Sequence, residues 1–282
     1  MEPYVAGFAP PALSFITFKK GIFLRKLLDC FSWTRIIKNN AALVALSFGH
    51  GISDWYFGTL YIILPYLAKD LGLTYSEVGV LMGWNAFSSF FVNLPGGMIV
   101  DTVGKTGSIL GLALALTGLP YFLLGFSPNY AVAIIVVTFI GIGSNLWHPA
   151  AISFLANRYP ERKGFAISVH MMGGHLGTTL SPLAIGLALT FLTWRHVLIM
   201  NVIPGIIMGL FLWKLLANIG MASDEGKSRG LSAKEYWVAV KTMAQNKSIL
   251  LLCMLSGMRQ MTQSGLFTFL PIYLAHDLKY PP

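Results

Sequence analysis

Leu64-Pro65-Tyr66-Leu67-Ala68-Lys69-Asp70-Leu71 returns near the other end of the chain as Leu270-Pro271-Ile272-Tyr273-Leu274-Ala275-His276-Asp277-Leu278, with one residue inserted and seven identities kept. Each copy closes a long apolar stretch. A helix needs roughly 20 apolar residues to cross the hydrocarbon core of a bilayer. Seven stretches reach that length, near 41–67, 77–100, 107–126, 130–155, 164–190, 195–217 and 248–275. The echo equates the ends of the first and the seventh, and the only long polar connection between spans separates the sixth from the seventh. The pattern predicts an all-α integral membrane protein. A six-helix bundle fills 41–217, a cytoplasmic linker 218–247, and 248–282 is the first helix of an incomplete second bundle. Long continuous apolar runs do not suit a strand barrel, whose segments are short and alternating. The competing reading is an ordinary seven-helix protein in which two apolar helix ends match by chance.

Composition supports a bilayer rather than water as solvent. Of 282 residues, 55% are hydrophobic and 11% charged, and the mean hydropathy is +0.65. A soluble domain carries about 25% charged residues. Two cysteines, Cys30 and Cys253, exclude a disulfide scaffold. The net charge of +9 is distributed by loop side. Sixteen of the 20 Lys and Arg fall before the first span, in the even-numbered connections or at their edges. Lys69, Arg195 and Lys279 fall on the other side, and Arg259 lies within a span. This asymmetry places the N-terminus and the 218–247 linker in the cytoplasm of a multi-pass cell-membrane protein. It removes the case for a nucleic-acid partner. Helices one and seven then run in the same direction, so the repeat is parallel, an architecture found among transporters. Residues 1–40 lack the order of a secretory signal and read as a cytoplasmic segment, either a short interfacial helix or an over-long start. About five helices of the second unit are missing, so the chain is expected to be a C-terminally shortened transporter, monomeric when full length.

Gly97-Met98-Ile99-Val100-Asp101-Thr102-Val103-Gly104-Lys105 joins spans two and three. It resembles the G-x-x-x-D-[RK]-x-G motif of the major facilitator superfamily, with Gly97, Asp101 and Gly104 kept and Thr102 in the basic position. In span five, Gly177, Pro182 and Gly186 resemble a degenerate form of that family's antiporter motif. Ser181 and Ile185 stand there in glycine places, and Val137 in span four stands where many members carry arginine. Small residues every four positions also let helices approach closely in any membrane protein. Gly49-His50 with Asp54 and Tyr56, then Leu64-Pro65, and Leu146-Trp147-His148-Pro149-Ala150 look like the fosmidomycin-resistance-type branch. The resemblance covers about 40–280. It implies alternating access, with Gly97, Asp101, Gly104, Gly177, Pro182 and Gly186 governing the conformational change.

An ionisable group at bilayer depth costs on the order of 3 kcal/mol on insertion scales and needs a partner or a water-filled cavity. Asp54 lies mid-span, and His50, four residues earlier, shares its helix face. A carboxylate beside an imidazole can pass a proton, or it can pin neighbouring helices by hydrogen bonds. Superposing Pro65 on Pro271 sets Arg259 opposite Ser53, next to Asp54. The resemblance puts helices one and seven at the central cavity. Arg259 is therefore expected to pair with Asp54, permanently or not, or to hold an anionic substrate group. His148, His175, Asn145 and Trp147 are candidate substrate contacts, with Asn85, Asn93 and Trp84 as further cavity residues. Packing is the alternative for each. His148, His170 and His175 supply no ligand spacing for a tight metal site, so no metal and no cofactor is expected.

These residues point to a secondary transporter for a small organic solute, proton-coupled through Asp54 and His50. By resemblance it exports an anionic or amphiphilic compound. A seven-helix receptor or sensor and a non-transporting fragment are the alternatives. A retinal protein would need a buried lysine in helix seven, where only Lys247 and Lys279 flank the span. No G-x-S-x-G, H-E-x-x-H or Walker-type loop occurs, so neither an enzyme nor ATP-driven transport is expected.

Overall fold

The structure, a computed structural model, describes residues 40–103, 106–219 and 233–280. The first span is α1 (Ala41–Leu71), the second α2 (Tyr75–Val103), the third α3 (Thr106–Leu124), the fourth α4 (Tyr130–Arg158) and the fifth α5 (Lys163–Leu189). The sixth is broken into α6 (Trp194–Met200) and α7 (Val202–Ile219). A short helix, α8 (Ala233–Gln245), precedes the seventh span, α9 (Lys247–His276). All seven predicted stretches are helical, within a few residues of their expected ends. The linker is more structured than its polar composition suggested, since α8 occupies its second half and meets α9 at 81°. Segment 1–39 and residues 220–232 lie outside the described residues.

The short connections are written in their capping chemistry. After α1 the chain turns at Gly72, with φ of +63°, and Leu73 N–H reaches back to the Ala68 carbonyl at 2.8 Å. Thr74 and Glu77 then form a capping box: Thr74 N–H donates to the Glu77 carboxylate at 2.8 Å, and Glu77 N–H to the Thr74 hydroxyl at 3.3 Å. Asn129 caps α4 through Val132 N–H, and Asn246 caps α9 through the N–H groups of Ser248 and Ile249. On the same side of the bundle as Gly72, Arg195 donates to Asp70 at 2.7 Å and to the carbonyls of Gly125 and Ser127. It thereby joins α1, α6 and the α3–α4 connection. The counterpart of Asp70 in the echo, Asp277, accepts from Tyr75 of α2. Both copies of the repeat thus use their terminal aspartate to clasp a neighbouring element.

The buried apolar side chains divide into two clusters along the bundle. One gathers Leu60, Ile63, Leu64 and Leu67 of α1 with Leu81, Leu124, Val137 and Leu198. The other gathers Leu43 and Leu46 of α1 with Leu110, Leu114, Trp147, Leu155 and Leu212. Between them, residues 47–54 of α1 face the small and polar residues of α4 and α5. There α1 and α5 touch backbone to backbone and run in the same direction. A Cβ on Gly173 would fall 2.1 Å from the Ser47 carbonyl oxygen, and one on Gly177 would fall 1.9 Å from that of Gly51. The small-residue stripe of α5 is therefore a packing seam against α1.

By length and composition alone, three segments among the described residues are apolar enough to cross a membrane: Gly107–Leu124, Tyr130–Arg158 and Trp194–Leu216. The count becomes four if the bent α8–α9 pair is one span. Helices α1, α2 and α5 have the length, at 31, 29 and 27 residues, but a lower mean hydropathy. Their glycines and polar residues lower it, and in α1 and α5 these line the seam.

Pro65, Pro95, Pro120, Pro149, Pro182 and Pro271 all sit inside continuous helices. The break in span six lies before Pro204, where Tyr56 of α1 enters the backbone ladder. Its hydroxyl donates to the Asn201 carbonyl at 2.7 Å and accepts from Gly205 N–H at 3.0 Å. One phenol thus takes the place of the missing bond between residues 201 and 205. Trp55 Nε1–H donates to the Asn201 side chain at 2.9 Å, and that side chain donates to Thr59 at 3.3 Å.

Gly177→Ala is expected to cost about 1–3 kcal/mol through forced separation of α1 and α5. Gly186→Ala, where no atom lies within 4 Å of the added carbon, leaves stability unchanged or slightly higher. Thermal melts of the two variants in detergent check this. Equal melting temperatures would mean that α1 and α5 do not meet as described.

Candidate functional site

Between the two apolar clusters, α1 places His50 and Asp54 one turn apart, and both face α5 and α4. His50 is buried, and its Nδ1–H donates to the backbone carbonyl of His170 at 3.0 Å. A carbonyl only accepts, so Nδ1 carries a proton; Nε2 has a lone pair when the ring is neutral and a second proton when it is charged. Nε2 faces Oδ1 of Asp54 at 3.5 Å and has no hydrogen-bond partner among the described residues. With the ring neutral, two lone-pair atoms, one of them on a carboxylate, face each other; with the ring charged, the two groups form an ion pair. A proton or another cation between them relieves the repulsion. Asp54 keeps 27% of its side-chain exposure, so the pair is reachable from one side. The opposite carboxylate oxygen rests on α5, where a Cβ on Gly174 would fall 2.6 Å from it.

Two more imidazoles complete the cluster. His148 of α4 meets His50 edge to face, with centroids 5.1 Å apart, and His170 of α5 stacks on it at 4.3 Å. His170 is fully buried, and neither of its ring nitrogens finds a partner among the described residues. One nitrogen each from His50 and His148 and one oxygen of Asp54 lie within 4.8 Å of one another. The sequence offered no metal-ligand spacing because the third donor comes from another helix. In the fold, a two-imidazole, one-carboxylate donor set does form, and its residues suit a divalent ion of the zinc class.

Other predicted site residues fall elsewhere. Trp147 is wholly buried against α1 and α7, and a Cβ on Gly49 would fall 2.5 Å from its ring. It is core and offers no open stacking face. Asn145 is half-buried and turned to its own helix, donating to the Gly141 carbonyl at 3.2 Å. His175, one residue beyond Gly174, is exposed. Asn85 donates to the Val137 carbonyl, Trp84 to Thr138, and Asn93 to the Ser89 carbonyl. Arg259 is exposed and donates to Gln263 at 3.1 Å, and among the described residues no ion pair joins it to Asp54. The reason is that α9 meets the bundle about two turns later, where Phe267 packs on Tyr61 and Phe269 on Tyr75. Superposing two repeats gives a common height along the helix and does not make neighbours. The groove beside these contacts, about 630 Å³, is apolar and includes none of the cluster residues.

Of the predicted conformational residues, Gly97 lies under α8, where an added Cβ would be 3.2 Å from the Tyr236 hydroxyl. Asp101 belongs to the last turn of α2, and Gly104 lies outside the described residues. Gly177 is in the seam, Pro182 is inside α5, and Gly186 faces open space. Sequence reasoning ranked His170 below the other histidines and gave Tyr56 and Asn201 no structural role. Asn201 with Pro204, inside an apolar span, was the available signal of a break.

The model of the Major Facilitator Superfamily matches residues 46–282, and the chain belongs to that family. It is a multi-pass membrane protein. It is 25% identical over 153 residues to the fosmidomycin resistance protein of Escherichia coli (strain K12), covering 54% of this chain and 37% of that protein. It is also 25% identical over 153 residues to the uncharacterized MFS-type transporter YfnC of Bacillus subtilis (strain 168), covering 52% of this chain and 36% of the relative. Among solved structures it resembles a bacterial homolog of the human lysosomal transporter Spinster in an inward-facing, unoccupied conformation. There the TM-score is 0.65 at 18% identity, covering 83% of this chain and 55% of that one. The aligned parts thus span about a third to a half of these longer chains.

The tautomer of His50 is directly measurable. Nitrogen-15 spectra of histidine-labelled protein are expected to show protonated Nδ1 and bare Nε2 for the ring that disappears in His50→Gln. A protonated Nε2 with bare Nδ1 would contradict the anchoring by the His170 carbonyl.

Proposed function

We propose that this chain forms part of a secondary active transporter of the cell membrane that moves a small organic solute by alternating access, coupled to protons. The observation that carries the coupling is the approach of His50 Nε2 to the Asp54 carboxylate, 3.5 Å, inside the bundle. One proton bound between them removes the repulsion, and its loss restores it. Proton occupancy is therefore tied to the packing of α1 against α5, because the other side of His50 is fixed to the α5 backbone. Asp54 is the carrier and His50 its partner. His148 and the exposed His175 stand where a solute can feel the state of that pair. Export of an anionic or amphiphilic compound is favoured by the similarity to a protein named for fosmidomycin resistance. The bundle of 41–217, the linker of 218–247 and the helix of 248–282 are the units of this machine. The asymmetry of the basic loops supports an N-terminus in the cytoplasm. In this reading α9 opens a second bundle, and Arg259 faces that bundle rather than Asp54.

The test is fosmidomycin flux in proteoliposomes under an imposed pH gradient. Wild-type protein is expected to show gradient-driven flux, and Asp54→Asn to lower it at least tenfold with unchanged reconstitution. Equal flux and equal pH dependence in the two proteins would sink the carrier role.

A further inference from the structure

We infer that His50, Asp54 and His148 form a binding site for one divalent transition-metal ion, which competes with the proton for the lone pair of His50. The site shares residues with the transport reading, but its argument is coordination geometry and needs no solute flux. Three observations carry it. The donors are two imidazole nitrogens and a carboxylate oxygen, all within 4.8 Å of one another and contributed by two helices. Imidazoles select zinc, cobalt or nickel over magnesium or calcium, which prefer oxygen donors alone.

The second observation is the outer support. A metal-binding imidazole almost always donates its other N–H to a carbonyl or carboxylate, which sets the tautomer and aims the free nitrogen. His50 already does this through Nδ1–H and the His170 carbonyl at 3.0 Å. The ring is further held by stacking on His170 at 4.3 Å. The third is the unmet valence: Nε2 of a 1% exposed His50 has no hydrogen-bond partner among the described residues, yet points at a carboxylate. Ligands at about 2.1 Å from zinc lie roughly 3.4 Å apart in a tetrahedron. The separations, at most 4.8 Å, therefore close by up to about 1.4 Å on binding. Asp54 and His148 are only half-buried and have room for that rotation. Three protein ligands leave a fourth position on the exposed side of Asp54 for water or an anionic group of a solute.

The test uses the whole tag-free protein in detergent, titrated with Co2+ as a spectroscopic probe. One Co2+ per chain, with visible d–d absorption, is expected for the wild type. His148→Gln and Asp54→Asn are each expected to weaken binding at least tenfold. His196→Gln, an exposed histidine at the start of α6 and outside the ligand set, should leave it unchanged. Absence of Co2+-dependent absorption from the wild type at millimolar metal overturns the inference. So does a loss in His196→Gln equal to that in His148→Gln. Co2+ binding without Asp54-dependent flux leaves the metal site standing and removes the transport reading. Asp54-dependent flux without Co2+ binding does the reverse.

Discussion

The contact on which the rest of the site depends is the backbone approach of α1 and α5. With Gly51 and Gly177 side by side, the two helices come close enough for a ring on one to bond a carbonyl on the other. Any Cβ at Gly177 would push α5 away, and the His50–His170 link would break. Without that link, nothing fixes which nitrogen of His50 is bare, and the confrontation with Asp54 loses its direction. The stripe of small residues therefore acts on chemistry through distance. It also explains why α1 and α5 are less apolar than α3: close approach needs glycine and serine, which contribute little hydrophobicity.

The division of the apolar core into two clusters follows from the same requirement. Apolar side chains fill the bundle on either side of the titratable layer. The layer itself is made of glycines, serines and imidazoles, because a carboxylate there must have polar neighbours or an opening. Asp54 has both, with His50 on one side and partial exposure on the other. His170 is accommodated differently: it is buried beside the Leu46 backbone and stacked between His50 and Trp147. Its ring is packing, while its backbone carbonyl is the functional atom.

Much of this was legible in the residues. The apolar runs gave the helices nearly to their ends, because span length is set by bilayer thickness and glycine, proline and asparagine mark the stops. His50 and Asp54 were readable as a pair because one turn of a single helix separates them. His148 and His170 were not, because their relation to His50 is made by three helices packing together. Arg259 was placed wrongly beside Asp54 for a related reason: repeat alignment conveys register and says nothing of which faces meet. Trp147 read as a stacking surface because its neighbour Gly49, which makes room for the ring, lies in another helix. The break at Asn201 needed both a local cue, Pro204, and a remote one, the phenol of Tyr56.

The same phenol ties the titratable layer to span six. Tyr56 stands two residues beyond Asp54 on α1, and its hydroxyl is built into the backbone of span six. Its own carbonyl accepts from Tyr121 of α3. A rotation of α1 that changed the distance from Asp54 to α5 would also pull this hydroxyl from between Asn201 and Gly205. Both groups are buried, and losing two hydrogen bonds there costs on the order of 1–3 kcal/mol for each group left unpaired. The cost is of the same order as holding an ionised carboxylate at bilayer depth. Tyr56 therefore couples α1 to span six: a turn of α1 alone would break both hydrogen bonds, whereas a turn shared with α6 and α7 would keep them.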